Sequence, residues 1–362
     1  MEDFKENQDQ PDLEMTEEKP AFSEPVSPKT EKKKADPRSK LVEPERMLVL
    51  DVSPHIQSKA SVQKIMWTVI AALIPASTAS IYFFGFPALS LIMLCIGSTV
   101  LTEMLMNFVK GEKLTVKDGS AAITGLLLAL TLPPSFNITG AILGSVVAIS
   151  IGKHVFGGLG YNIFNPALLG RAFLQASFPV AMTTWTNPGM VKLSQIDAVS
   201  TATPLSKFKF EGILTDHIDL FFGNTGGSLG ETSAIAIIIG GVFLLIMKYA
   251  DWRIPVSFIG SVLIVGGLFW FIDPVKYPDP IFQILSGGLL LGAFFMATDM
   301  VTSPITLRGS WIFGIGAGII LVMIRLFGGL PEGVMYSILL MNALTPLINH
   351  YTRPRFFGEP RS

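Results

Sequence analysis

Charge is scarce in this chain: only 15% of its 362 residues are Asp, Glu, Lys or Arg, against roughly 25% in soluble domains. The shortage is sharper beyond the N-terminus. Residues 1–46 hold 13 acids and 9 bases, which leaves 15 acids and 18 bases for the other 316 positions. So few charges cannot cover a water-soluble body of that size, but they suit one whose outer surface meets lipid. Cysteine is nearly absent as well. The single Cys95 has no partner for a disulfide, and it excludes a thiolate-bound zinc or iron–sulfur cluster within the chain. Histidines are few and scattered: His55, His154, His217 and His350 do not fall at His-x-x-x-His spacing, so no metal centre is expected. With a net charge of −1 and no basic stripe, nucleic acid is not an expected partner.

What the chain has in quantity is apolar sequence, 49% of all residues. Residues 1–46 mix Glu, Lys and Pro with few large apolar side chains, the composition of a disordered charged tail. They carry no secretory signal, since the first long apolar run begins near Val62. Runs then follow at about 62–84, 86–109, 119–132, 138–152, 165–182, 232–249, 255–272, 281–298, 310–327 and 331–349. The expected fold is therefore an all-α polytopic membrane protein of about ten transmembrane helices. Runs 119–132 and 138–152, separated by Pro133-Pro134, fall short of the roughly 20 residues of a straight span, and short or broken helices often mark a binding centre.

Lys and Arg near the run ends set an orientation. Lys59, Lys64, Lys110, Lys113, Lys117, Lys153, Lys248, Arg253, Arg308, Arg353, Arg355 and Arg361 all fall on one side, expected to be cytoplasmic together with both termini. The opposite side receives the long 183–231 loop. An internal repeat agrees with the count. Phe156-Gly157-Gly158-Leu159 recurs as Phe327-Gly328-Gly329-Leu330, and Gly125-Leu126-Leu127-Leu128 recurs as Gly288-Leu289-Leu290-Leu291. Five spans per half is an odd number, so the halves, 47–182 and 232–350, are expected to be inverted repeats, with 351–362 a cytoplasmic tail.

The segment from Asp197 to Leu205 reads Asp-Ala-Val-Ser-Thr-Ala-Thr-Pro-Leu, by composition a small polar turn. In the same chain stand Lys117-Asp118-Gly119-Ser120-Ala121-Ala122-Ile123-Thr124-Gly125, then Gly157-Gly158-Leu159-Gly160-Tyr161-Asn162-Ile163-Phe164-Asn165-Pro166-Ala167. Gly227-Ser228-Leu229-Gly230-Glu231-Thr232 and Ala297-Thr298-Asp299-Met300-Val301-Thr302-Ser303-Pro304 follow. In this order they resemble the NqrB/RnfD family, membrane components of the sodium-translocating NADH:quinone reductase and of the Rnf ion-translocating oxidoreductase. The resemblance covers about residues 47–350, and Ser53-Pro54-His55-Ile56 favours the Rnf branch.

That resemblance implies a flavoprotein subunit of a redox-driven Na+ or H+ pump in the bacterial inner membrane, coupling electron transfer between ferredoxin and NAD to ion movement. It implies FMN joined by a phosphoester to the last residue of a Ser-x-Ala-Thr motif, here Ser200-Thr201-Ala202-Thr203. Thr203 is thus the expected attachment residue on an extracytoplasmic loop, with Ser200 and Ala202 beside it and Lys207 and Lys209 available to balance the phosphodiester. Small neighbours are expected to leave its hydroxyl open to a flavin transferase. Ser228-x-x-Glu231 reads as a capping box opening the sixth span, and Thr232 with that helix start is expected near the flavin. A non-covalent riboflavin is implied around Lys153, Asn162, Asn165 and Asp299, where Asn-Pro-Ala and Thr-Ser-Pro also read simply as helix caps and breaks.

Two intramembrane charges stand out. Arg171, about 9 Å past Asn165 at 1.5 Å per residue, either snorkels to the surface or holds a flavin or an acid. Glu103, with Asn107 one turn on, is either an ion-path residue or one half of an ion pair. The chain has neither a nicotinamide fingerprint nor cluster ligands, so the resemblance implies partner subunits that hold iron–sulfur centres and a second covalent FMN, besides membrane lipid. The competing reading is a urea-transporter-like channel or carrier, which has no need of a flavin motif on a long loop.

Overall fold

Capping chemistry and proline punctuate the apolar runs into helices. Helix α1 (Val62–Phe84) starts at Ser61, whose side chain accepts the Lys64 amide at 3.2 Å. At Gly85 the backbone takes a φ of +68°, which separates α1 from α2 (Phe86–Lys110). A short α3 (Ser120–Leu130) precedes α4 (Ile138–Ile149), which continues as a π-turn over Ser150–His154. Next come α5 (Pro166–Ser177), α6 (Pro179–Thr183), α7 (Pro204–Glu211) and α8 (His217–Phe222). The second half holds α9 (Ala234–Ile246), α10 (Arg253–Ile272), α11 (Pro280–Leu285) and α12 (Leu289–Leu291), the last running into a second π-turn, Gly292–Met296. Helices α13 (Leu307–Phe327) and α14 (Val334–Tyr351) complete it. The computed structural model describes residues 61–111, 115–189 and 202–354. The N-terminal tail 1–46, Ser53 to Ile56, Lys59, Lys113, Ser200, Thr201, Arg355 and Arg361 lie outside the described residues.

The interior is a large apolar core that also holds many polar side chains, and the exterior is apolar where a soluble protein would be polar. Ser80, Thr99 and Glu103 are fully buried, whereas Tyr82, Phe108 and Phe271 are 82–85% exposed. An exposed apolar surface of this kind belongs in lipid. Among the described residues α1, α2, α10 and α13 are long and apolar enough to cross a bilayer. This is an all-α polytopic membrane protein.

Both halves use one packing order. Helix α4 packs on α2 and α5, as α13 packs on α10 and α14, while α9 packs on α1. Small residues bring the backbones together. A Cβ on Gly125 would stand 2.7 Å from the Cys95 carbonyl oxygen, so glycine is what lets α3 lie against α2. Gly314 and Gly318 of α13 seat directly on Ser257 and Ser261 of α10.

Two apolar runs prove to be broken. Run 165–182 divides at Phe178, because Pro179 lacks the amide that would extend α5. Run 281–298 divides at Ser286-Gly287-Gly288, where Gly287 has a φ of +68°.

Candidate functional site

A cavity of about 550 Å³ opens among α5, α7, the segment before α9, the α11–α12 break and the α13–α14 turn. Four charged side chains converge on it. Arg171 donates to Glu332 at 2.5 Å and lies 3.7 Å from Glu231. Arg325 donates to the Gln283 carbonyl at 2.5 Å and to that of Ser286 at 3.1 Å. It thereby satisfies the free carbonyls where α11 breaks and places a cation at that helix's negative end. Its Nε is buried with no hydrogen-bond partner. Gly288 makes room for the acid, since a Cβ there would come within 2.7 Å of Glu231 Oε1. Burial pushes the Glu332 carboxyl from 4.5 up to about 7, with the Glu231 charge adding to the rise and the two guanidiniums opposing it.

Glu231 is not the capping residue that its sequence suggests. Helix α9 begins at Ala234, and its N-cap Ser233 makes no side-chain cap. The Ser228 hydroxyl is buried without a partner, and the Glu231 carboxylate turns to Arg171. The segment instead turns against the broken end of α3, where Gly230 N donates to Leu130 O at 2.6 Å and Leu229 N to Leu132 O at 3.0 Å. Carbonyls freed inside a membrane protein need partners more urgently than a helix start does. Thr232 donates to the Leu229 carbonyl at 3.0 Å and stabilises this turn.

Thr203 is the N-cap of α7. Its Oγ1 accepts the Ser206 amide at 3.2 Å and exchanges a hydrogen bond with the Ser206 hydroxyl at 2.9 Å. Ala202 and Ser206 line the large cavity, and Thr203 shares a small adjoining recess with Glu231 and Glu332. Thr203 is not open, as small neighbours had implied, but buried, with 4% of the residue exposed. Lys209 is occupied too: its ammonium donates to the carbonyls of Arg325, Gly328 and Leu330, which fastens α7 to the end of α13. Lys207 is half-buried on the same helix.

On the other side of the molecule a cavity of about 90 Å³ gathers Lys153, Asn162, Asn165 and Asp299, the four residues that the sequence grouped. Asn165 caps α5 through its side-chain oxygen and donates to Met296 O at 3.2 Å, so the cap and the cavity wall are one residue's work. Asn162 Oδ1 is buried without a partner. Burial also raises the Asp299 pKa, against hydrogen bonds from Thr302 and the Val301 backbone. Behind Lys153 stands Glu103, fully buried: the ammonium donates to Glu103 Oε1 at 2.8 Å and to the Ser120 hydroxyl at 2.5 Å. Thr115 donates to the same carboxylate oxygen at 2.7 Å, and Asn107 to Thr115 at 2.9 Å. Glu103 Oε2 has no partner.

Arg325 and Glu332 were not singled out in the sequence. Arg325 lies inside the run 310–327, so the rule that selects Arg171 would have selected it. Pro331-Glu332-Gly333 has the composition of an ordinary turn and gives no such signal. Among the described residues no cluster of His, Cys, Asp or Glu could hold a metal.

Structure and site together define a polytopic membrane protein with a large charge-lined cavity on one side and a small polar one on the other. A profile of the NQR2, RnfD, RnfE family matches residues 49–358, and the chain belongs to that family. It is 47% identical over 325 residues to the D subunit of the proton-translocating ferredoxin:NAD(+) oxidoreductase complex of Clostridium ljungdahlii, covering 87% of this chain and 97% of that protein. It is 44% identical over 315 residues to the D subunit of the Na(+)-translocating ferredoxin:NAD(+) oxidoreductase complex of Acetobacterium woodii, covering 86% and 95%. With the D subunit of the ion-translocating oxidoreductase complex of Stutzerimonas stutzeri the identity is 42% over 330 residues, covering 83% and 93%.

Proposed function

We propose that this chain is the flavin-carrying membrane subunit of an ion-translocating ferredoxin:NAD oxidoreductase complex, with FMN esterified to Thr203. The observation that carries the reading is the position of Thr203 in a small recess that shares Glu231 and Glu332 with the 550 Å³ cavity, which Arg171 and Arg325 also line. That volume falls within the roughly 300–1,000 Å³ of small-molecule sites, and the unpartnered Arg325 Nε is a donor awaiting an acceptor. Bound there, the flavin would supply one- and two-electron transfer. The chain's own part is to fix it: Lys209 pins α7, Thr203 supplies the ester oxygen, and the guanidiniums present positive charge to the phosphate and ring. Because Thr203 is buried, attachment by a transferase requires α7 to lift from its recess or to dock afterwards.

Electrons from ferredoxin reach this subunit through partner subunits with iron–sulfur centres and a second covalent FMN, in the bacterial inner membrane with the loop outside. The relatives named above couple to different ions, so the reading covers Na+ and H+. Glu103, whose Oε2 is free, is the ion-path residue in this proposal. A channel is disfavoured by the wall between the two cavities, built from Asn165 to Leu168 of α5 and from Phe295 and Met296 of the second π-turn.

The smaller cavity has the donors and acceptors of a riboflavin site but, at 90 Å³, not the room. Within the same proposal a second flavin binds there only when the Asp299–Val301 turn moves away from α1. One sample tests both flavins. Protein made with its transferase and run on a denaturing gel should fluoresce under ultraviolet light. Thr203→Val should lose that signal and Thr201→Val keep it; the opposite pattern overturns the assignment. Riboflavin should appear in the soluble fraction of the denatured wild type, and its absence from folded, flavinylated protein removes the second flavin.

A further inference from the structure

A phosphodiester on Thr203 would join four charges that already balance. Arg171 enters from α5, Arg325 from α13, Glu231 from the segment before α9 and Glu332 from the α13–α14 turn, two cations and two anions. Thr203, Glu231 and Glu332 line one recess of about 10 Å³. An anion esterified to the Thr203 oxygen therefore arrives against two carboxylates, and two guanidiniums neutralise only two negative charges. Uncompensated charge at a buried site is strongly unfavourable, so one acid must yield.

Glu332 is the one placed to do so. Its side chain keeps 22% of its surface open, against 5% for Glu231, so water can deliver a proton to it. The other charged or titratable groups facing the cavity are Glu211 at the exposed end of α7 and Tyr336 on α14, neither a cation. Nearby Lys209 is committed to three carbonyls.

We infer, on the reading that Thr203 carries FMN, that Arg171 is the cation that anchors the flavin phosphodiester and that Glu332 takes up a proton from bulk solvent, relayed by water at its open side, when the flavin is attached. Arg171 exchanges a carboxylate partner for a phosphate; the glutamate gains one proton, and no electron moves. The pair is an ion pair before attachment and a neutral acid beside a phosphate–guanidinium pair afterwards.

The direction of the pH effect follows. An acid whose pKa is higher folded than unfolded contributes stability below the unfolded value, about 4.5, and loses it as pH rises through the folded one, about 7. Unloaded wild type, made without the transferase, should therefore lose thermal stability relative to Glu332→Gln over that window. In flavin-loaded protein the loss should move to higher pH. Infrared absorption at about pH 8, above the unloaded value, should show a protonated carboxyl in loaded wild type that is absent from unloaded wild type and from loaded Glu332→Gln. A loss at the same pH in both forms, or no such band in protein whose denatured gel band fluoresces, overturns the inference alone. A wild-type band without fluorescence overturns the flavin assignment and the inference with it.

Discussion

Lys153 and Glu103 show how far single residues can be read. Glu103 stands out in sequence as an acid inside an apolar run, and pairing with a base was one of its two readings. Its partner lies 50 residues away, inside the π-turn at Ser150–His154, a pairing that no periodicity announces. Removing the base should be costly. Lys153→Met leaves a fully buried carboxylate without its cation, so unfolding in detergent should show a loss of about 3–5 kcal/mol. The double variant Glu103→Gln with Lys153→Met should recover much of it. Equal losses in single and double variants would mean that the pair adds nothing beyond side-chain packing. The opposite failure concerns Arg325 and Glu332, one hidden near a helix end and the other in a turn. Their meaning depends on Arg171, which approaches from the other half of the chain.

Helices were legible as apolar runs, and their breaks less so. Pro133-Pro134 advertised the gap between α3 and α4, but the division of α11 from α12 rests on Gly287 and on Arg325 filling the exposed carbonyls, a tertiary rescue that local sequence does not encode. The capping-box reading of Ser228 and Glu231 failed for a similar reason: the end of α3 needed those backbone groups more. Close helix approach was equally invisible, although the glycines were in plain view. Gly318→Leu must part α13 from Ser261 of α10 and should cost about 1–3 kcal/mol as overpacking, seen as a lower unfolding temperature in detergent. Gly260→Ala, on a face of α10 with open space around it, should be neutral or stabilising by up to about 1 kcal/mol. Similar effects from both would show that small residues are not what sets the α10–α13 spacing.

At the scale of the molecule, fold class and family were readable because scarcity of charge and ordered motifs are global properties, whereas the two cavities are not: each collects residues from both halves. The orientation read from Lys and Arg has a direct check. A cysteine at Ser194 should react with a membrane-impermeant reagent in intact cells, while one at the exposed Arg308 should react only after lysis, with native Cys95 silent because it is fully buried. Reversed labelling would invert the topology. The wall between the cavities bears on the membrane voltage. Asn165 faces one cavity and Leu168 the other, a rise of about 4.5 Å at 1.5 Å per residue, where an unbroken hydrocarbon core is about 30 Å thick. When water fills both sides, the electric field is squeezed into that single turn and steepens roughly sevenfold. One elementary charge stepping past Asn165 then works against nearly the whole potential, about 2.3 kcal/mol for each 100 mV, in a movement shorter than one turn of helix.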